Sequence, residues 1–472
     1  MSSTLYGTQP NGSGGEKVFK RIIDFVKKVT AIFNKRDMKG VIGAEPVITD
    51  AMTERIGKWL KMYRGEAPWI DDYVKSLRLE QGICREFADT ALSELEVSVS
   101  DEKLDEMLKA FVLSGLNENL QAGLAAGSFI IKPLGEDKAE FVTADRFVPV
   151  SFSPDGRLTD VVFIGVKKIS DSSFYFRFER HELTNQGLRI SNFAYHSSSE
   201  KNIGSPCPLS EVDEWASLPE EILYPKMTEV DFGYYRNPIK NEIDGTFCGV
   251  SVFDSAIELI QKADVQFGRL EWEFESGERA INVDASALVP TSTKDRKGRT
   301  VFEAPKLNKR LYRGLNLETD NGDLYKEFSP EFRDGNIING LEQIKRNIEF
   351  NVGLSYGDLS DINVVEKTAT EIKHAKQRKY NRVNAIETNL KKCLEDFCRG
   401  LAFYNGRLTT NYEFTCSFSD SILTDEETER KQDIQDISLG IMQPYEYRMK
   451  WYGEDEKTAK AKIAEGTAEV IE

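Results

Sequence analysis

The stretch FDSAIELIQKADVQFGRLEWEFESG, residues 253–277, decides how this chain reads. Phe253, Ile257, Ile260, Asp264, Phe267, Leu270 and Phe274 recur at steps of three and four, the spacing of one helix face. At 1.5 Å per residue such a helix spans roughly 37 Å, and Gly277 supplies a stop. A strand-rich stretch follows at 279–317, with a tight turn at Lys297-Gly298. A second helical pattern at 336–353 keeps Ile337, Leu341, Ile344, Ile348 and Val352 in register. A loop at 355–367 then leads into a long helical pattern, 368–404. A helix pair that carries a small β module away from the body, and returns through a loop, leaves each helix exposed on two faces. Such a unit makes more sense as one wedge of a ring than as a solitary globule, because neighbouring copies would cover those faces.

The other readings are coarser. At 472 residues the chain has room for about three structural units. Hydrophobic residues at 40% and charged residues at 30% are ordinary for a soluble protein and speak against global disorder. No apolar run is long enough to cross a bilayer and no signal-peptide pattern appears, so no membrane partner is expected. The six cysteines form no Cys-x-x-Cys pair and read as reduced, mostly buried thiols. Three histidines, His181, His196 and His374, are too few and too dispersed for a histidine-rich metal site. The net charge of −16 argues against a protein that coats nucleic acid, but not against one past which nucleic acid must slide without sticking.

Charge is unevenly spread. Residues 291–313 carry eight Lys/Arg against two Asp/Glu, whereas 254–280 carry three against seven and 424–472 carry seven against thirteen. Residues 1–15 are Ser/Gly/Thr-rich and read as disordered. An amphipathic helix follows at 16–35, suited to packing on a neighbouring subunit or domain, or to a membrane surface or partner helix. Helices are expected at 54–64, 75–95 and 104–126. An antiparallel sheet of six strands is expected at 129–132, 140–143, 148–152, 161–167, 174–182 and 188–195. Residues 197–224 read as a polar connection. Tyr412, Phe414, Cys416 and Phe418 alternate as a late strand, and two helices at 425–440 and 446–465 are split by Pro444. The fold class is α+β.

The motifs of a chemical engine are missing. There is no Gly-x-x-x-x-Gly-Lys-Ser/Thr loop, no Gly-x-Ser-x-Gly elbow and no His-Glu-x-x-His. No enzyme, cofactor or metal is expected. The strongest enzymatic alternative is a carboxylate site for two Mg²⁺ ions, built from Asp358, Asp361, Glu366 and Glu371, which would support phosphodiester cleavage. The basic island of Lys294, Arg296, Lys297, Arg299, Lys306, Lys309, Arg310 and Arg313 reads as a docking surface for an acidic partner or for DNA phosphates, or else as a solvated β face. The loop at 355–367, with Tyr356, Asp358, Asp361 and Lys367, is longer than a plain helix–helix connection and reads as a mobile loop lining a channel. Thr368 and Glu371 form a capping-box pattern at the start of the next helix.

A set of short segments, none specific alone, then falls in a telling order. They are IGKW at 56–59 with YRG at 63–65 and PW at 68–69; REFA at 85–88 with Glu94; QAGLAAG at 121–127 running into IKP at 131–133; and TADRF at 143–147 with Pro149. GVSVF at 249–253 follows, with Ala256, Asp264 and WE at 272–273, and last GLS at 353–355 with TATEI at 368–372. In order and spacing the chain resembles portal proteins of tailed bacteriophages of the siphophage type, over nearly its whole length. The resemblance implies a ring, usually of twelve copies, at one capsid vertex of the virion, assembled in the host cytoplasm. It implies a portal-type subunit with a helical/β wing, a two-helix stem, a small β-containing clip and a short helical crown. The matching divisions are 1–15 disordered, 16–40 arm, 41–247 wing, 248–277 first stem helix, 278–332 clip, 333–353 second stem helix, 354–367 tunnel loop, 368–424 long wing helix and strand, and 425–472 crown.

The partners so implied are double-stranded DNA in the channel, the terminase large subunit, a head–tail connector or adaptor, and the major capsid and scaffolding proteins. DNA packaging and ejection would pass through the ring, driven by a separate motor. Tyr356, Asp358, Asp361, Lys367, Lys345 and Arg346 would face the channel, within an acidic wall that repels phosphates. Lys294, Arg296, Lys297, Arg299, Lys306 and Arg310 would dock the motor or connector. Phe253, Ile257, Ile260, Phe267 and Leu270 would join neighbouring copies. The competing reading is a capsid-associated structural or adaptor protein without a channel.

Overall fold

Local signals set the first helices. Thr49 begins α2 (Asp50–Tyr63) by accepting the Met52 amide at 3.2 Å, and Asp101 begins α4 (Glu102–Leu113) by accepting that of Leu104 at 3.1 Å. Met52, Ile56, Trp59, Leu60 and Met62 make the buried stripe of α2. The computed structural model describes residues 35–135, 138–200, 202–284, 291–294, 297–298, 300–303, 312–315, 325–361, 369–408, 412–418 and 426–468. The fold is mixed α/β with several small sheets. Of the expected arm at 16–40, residues 16–34 lie outside the described residues, and 35–40 fall in α1 (Lys35–Ile42).

Two expected helices are broken. The one at 104–126 divides into α4 and α5 (Leu116–Ala126) at Gly115, whose φ of 138° is open to glycine and closed to the residues that continue a helix. The one at 75–95 shortens to α3 (Leu79–Leu92), and its last expected residue, Leu95, instead opens β1 (Leu95–Val99). The late strand, β16 (Phe414–Phe418), pairs antiparallel with β1, so the two ends of the body meet there.

The six expected strands exist but form two sheets. β2 (Ser128–Pro133) and β3 (Ala139–Thr143) join β10 (Gly233–Arg236) in a three-stranded antiparallel sheet. The larger sheet contains β4 (Phe147–Phe152), β5 (Leu158–Ser170), β6 (Ser173–Thr184), β7 (Gly187–Ser197) and β8 (Ser205–Cys207), in that order, with β9 (Glu221–Tyr224) also on β7. β8 and β9 lie in what the sequence presents as a polar connection. A sheet buried on both faces reads as a continuous apolar run, so alternation cannot say which run joins which: every residue of β2 is buried.

The main core fills the space between these layers. The long helix α8 (Ala369–Tyr404, 36 residues) packs on β10 and β2, with Leu390, Cys393, Leu394, Phe397 and Cys398 buried. Phe111, Phe129, Phe141, Tyr235 and Phe397 meet as a chain of rings 4.7–6.0 Å apart. The fully buried ones, Phe129, Tyr235 and Phe397, each contribute about 1.5–3 kcal/mol by leaving water. His181 lies in the same interior between Asp231 at 2.8 Å and Glu179 at 3.0 Å. Burial pushes its pKa down, but the two carboxylates outweigh burial and raise it to about 9. With both ring nitrogens engaged and 1% exposure, His181 serves the interior rather than any solvent-facing chemistry.

The C-terminal segment is different in kind. α9 (Glu426–Ser438), α10 (Pro444–Tyr452) and α11 (Glu456–Ala468) bury little: among the described residues of 426–468 only Ala459 is fully buried. Pro444 does not separate two helices but opens α10, where its missing N–H is harmless, and Gly453 at φ 64° separates α10 from α11.

Candidate functional site

The helix that opens this account is α6 (Ile257–Ser276), entered through a 3₁₀ turn at Asp254–Ala256, and its antiparallel companion is α7 (Asp334–Val352). Between them lie β11 (Ala280–Asp284), β14 (Tyr312–Leu315) and β15 (Tyr325–Phe328) in one small sheet, and β12 (Thr291–Lys294) paired with β13 (Thr300–Glu303). The expected hairpin turn at Lys297-Gly298 is present, with Gly298 at φ 74°. Of the basic island, Arg296, Arg299, Lys306, Lys309 and Arg310 lie outside the described residues; Lys294 is on β12, and Lys297 is exposed at the turn.

Burial fades along the pair. Near the body Phe253, Ile257, Ile260 and Ala263 on one side, and Ile348 and Val352 on the other, are 0–6% exposed. At the far end Trp272 is 60% exposed, Phe274 48%, Phe332 46% and Ile338 39%. No described residue of α7 before Leu341 is buried. The pair therefore stands out from the body at its far end. There Glu273 accepts Arg333 twice through the side chain, at 2.7 and 3.1 Å, and once through the backbone amide at 2.9 Å. Those bonds to Arg333 hold the Glu273 carboxyl down to about 2. Phe274 and Phe332 pack with ring centres 5.5 Å apart beside this clamp.

This gradient revises the expected contacts between copies. Phe253, Ile257 and Ile260 belong to the main core of the chain itself, so a single copy already accounts for their burial. Phe267 and Leu270 are half-buried. The apolar surface still open on the pair is Trp272, Phe274, Phe332, Ile338 and Phe350. Periodicity ranks a face, but it cannot say how far along the helix the body reaches.

A strap crosses the root of α6. Trp69 Nε1 and the Leu77 amide each donate to Asp264 at 2.8 Å. A Cβ on Gly268 would stand 2.7 Å from the Tyr73 carbonyl oxygen, so glycine is what lets the strap close. Burial raises the Asp264 carboxyl. Glu80, also fully buried, stands close enough that the Asp264 charge adds to the burial that pushes its pKa up to about 7. Neither Glu80 carboxylate oxygen meets a hydrogen-bond donor among the described residues.

The loop after α7 is tied down by two acids one heptad apart. Glu349 Oε1 accepts the amides of Gly357, Leu359 and Ser360 at 2.7–3.1 Å, and Oε2 accepts the Ser360 hydroxyl at 2.9 Å. Glu342 Oε2 accepts the Asp361 amide at 2.7 Å. Residues 355–361 are thus fastened to α7, contrary to the expected mobile loop, while 362–367, including Lys367, lie outside the described residues. The inward-facing carboxylates were legible only as acids at inner positions of an amphipathic helix, seven apart.

The residues expected to face a channel sit in varied surroundings. Asp358 is part-buried and paired with Lys379 at 3.3 Å; Lys379 also pairs with Glu86. Burial raises the Asp358 carboxyl against the pull of Lys379. Tyr356 is half-buried, and the Arg378 guanidinium lies 5.1 Å from its ring and 4.8 Å from that of Phe350. Asp361 is exposed. Lys345 is paired with Glu342 and its side chain is only 18% exposed. Arg346 reaches the Asp361 carbonyl at 3.5 Å. Asp358 and Asp361 have separate partners, Glu366 lies outside the described residues, and no cluster of three metal-ligating side chains is present among the described residues.

Elsewhere, a cavity of about 300 Å³ is lined by Met38, Ile48, Leu60, Phe147 and Ile164, with Asp50, Glu54, Lys58, Lys61 and Arg64 also contributing. No helix among the described residues is long and apolar enough to cross a membrane. No protein-family model matches the chain, and no curated protein matches it.

Proposed function

We propose that this chain is a portal-type subunit: copies close into a ring at a phage capsid vertex, and the ring is the passage for double-stranded DNA during packaging and ejection. The observation that carries the reading is the projecting helix pair. It is rooted in the body, clamped at its far end by Glu273 and Arg333, capped by small strands, and open along aromatic side chains that one copy leaves uncovered. Exposed rings of this kind, on an element with two open sides, mark a contact surface. In a closed ring each copy would offer one side to each neighbour.

In this reading the body around α8 is the wing, the pair is the stem, the strands between 280 and 328 are the clip, and α9–α11 are the crown. The clip, with Lys294 and Lys297, would meet the terminase motor and later the connector. The motor would supply ATP hydrolysis, and this chain the passage. The test is the mass of the purified full chain in solution. A single chain is 53.5 kDa, so twelve copies come to about 640 kDa. A discrete species near that mass, or at another fixed multiple, supports the reading. A monomer at every concentration and salt tried rejects it.

A further inference from the structure

One carboxylate holds both legs of the strap over α6. Asp264 accepts Trp69 Nε1 on one oxygen and the Leu77 amide on the other. Between the legs the chain turns at Asp71, whose side chain accepts the Tyr73 and Val74 amides at 2.7 and 2.8 Å. That turn stands in solvent, with Tyr73 80% exposed. The second leg runs into Arg78, whose φ of 57° is the one positive value at a non-glycine residue among the described residues. Glu80 follows in the first turn of α3. It is fully buried, neither of its oxygens meets a donor among the described residues, and Asp264 is the anion that bears on it. Arg78 offsets that anion only in part, because its guanidinium is exposed and donates to the Arg64 carbonyl. The remaining titratable groups around α3 are neutral or engaged elsewhere. Burial keeps the Cys84 thiol protonated. The Tyr63 hydroxyl of α2, beside Arg85 and Glu118 of α5, is pushed up to about 12. Lys379 of α8 is shared by Glu86 and Asp358.

We propose that Glu80 and Asp264 form a proton-operated latch: while Glu80 holds its proton the strap stays closed on α6, and loss of that proton sets two buried carboxylates against each other and releases the strap. The latch is a property of the fold and does not depend on the ring reading. Asp264 accepts two donors, as an ionised carboxylate does, so a second charge beside it is repelled in a site that water does not screen. The repulsion is relieved where the structure yields most easily. The core around Glu80 is closed, whereas the strap has solvent on its outer side and only two bonds to Asp264. In the open strap Glu80 reaches water and returns to its ordinary value of 4.5, against about 7 when closed. A carboxyl raised by closing favours the closed form fully below pH 4.5 and loses that advantage as pH rises to 7. The opening equilibrium therefore grows about tenfold per pH unit across that window and levels off above it. Mild acid fastens the root of the pair, and neutral pH loosens it.

Hydrogen exchange of the full chain, corrected for the intrinsic pH dependence of amide exchange, tests the latch. The Leu77 amide should lose protection on the order of a hundredfold between about pH 4.5 and 7.5. Amides of β5, inside the larger sheet, should keep theirs. In Glu80→Gln, which mimics the protonated acid, Leu77 should hold the acid-level protection of wild type throughout. Three results each overturn the proposal: a Leu77 amide whose protection does not change with pH, a loss that β5 shares in step, or a Glu80→Gln variant that keeps the wild-type slope. The first would mean no latch, the second a cost spread over the whole fold, and the third a different titrating group. Should Glu80→Gln not fold, Gly268→Ala decides. Its methyl group would meet the Tyr73 carbonyl and hold the strap off α6. Leu77 should then be poorly protected at every pH, with no slope; a slope that persists would detach Glu80 from the strap and reject the latch.

Discussion

The near and far halves of the α6/α7 pair share one helix geometry and have opposite surroundings. Near the body, Phe253, Ile260, Ile348 and Glu349 are fully enclosed and Glu349 is saturated by the loop, although Phe350 beside it is 56% exposed. At the far end Trp272 and Phe332 stand largely in solvent, and Glu273 with Arg333 clamps the pair beside the Phe274–Phe332 contact. The contrast teaches that the pair has two jobs: its root holds the fold, and its tip is available to something else. Substitutions at the root should therefore cost stability, and those at the tip should cost assembly.

The largest effects belong to the root. Phe253→Ala leaves a void in the main core and should lower the unfolding free energy by about 3–5 kcal/mol, read from chemical denaturation. Glu349→Ala strands the amides of Gly357, Leu359 and Ser360 and should cost on the order of 3 kcal/mol. Proteolysis should then open first within 355–361. If that loop stays as protected as in wild type, the fastening role of Glu349 is wrong.

Glu80 sharpens the contrast from the opposite direction. In the folded chain its carboxyl keeps its proton to about pH 7, against an ordinary value of 4.5. A raised carboxyl pKa costs stability progressively as pH rises from about 4.5 to 7, because the folded state must then accept a buried charge or hold a proton the unfolded chain releases. Glu80→Gln removes that cost. It should be more stable than wild type by on the order of 3 kcal/mol above pH 7.5 and equal to it near pH 4. A stability gap that does not change with pH would mean that Glu80 is not buried beside Asp264 as described.

The smallest stability effect should come at the tip. Trp272→Asp should leave the denaturation midpoint of the isolated chain within about 0.5 kcal/mol of wild type, yet abolish the large species in mass photometry. Loss of stability as large as that of Phe253→Ala would erase the distinction between root and tip.

How much of this was legible in the sequence follows from which interactions are local. The helices of the pair, the long α8 and the Lys297-Gly298 turn follow from apolar period and turn chemistry, which act over a few residues. The division of six strands into two sheets did not follow, because pairing depends on β10, about a hundred residues away from β2. The break at Gly115 was missed because glycine inside a helical pattern is often tolerated. At the site, the apolar stripe of α6 was correctly placed on one face, but Phe253 and Ile260 were given to a neighbour when the chain's own body covers them. Glu80 was passed over because Asp264, which stands beside it, is far away in sequence, and Glu349 because its partners are amides of an irregular loop that carry no sequence signal.

The central claim is that copies of this chain close around an open passage, and negative-stain electron microscopy of the full chain tests it most directly. The account predicts ring-shaped end views with a stain-filled central hole and a narrower projection in side view. Compact particles without a hole, at concentrations where a multimer is present, would contradict it.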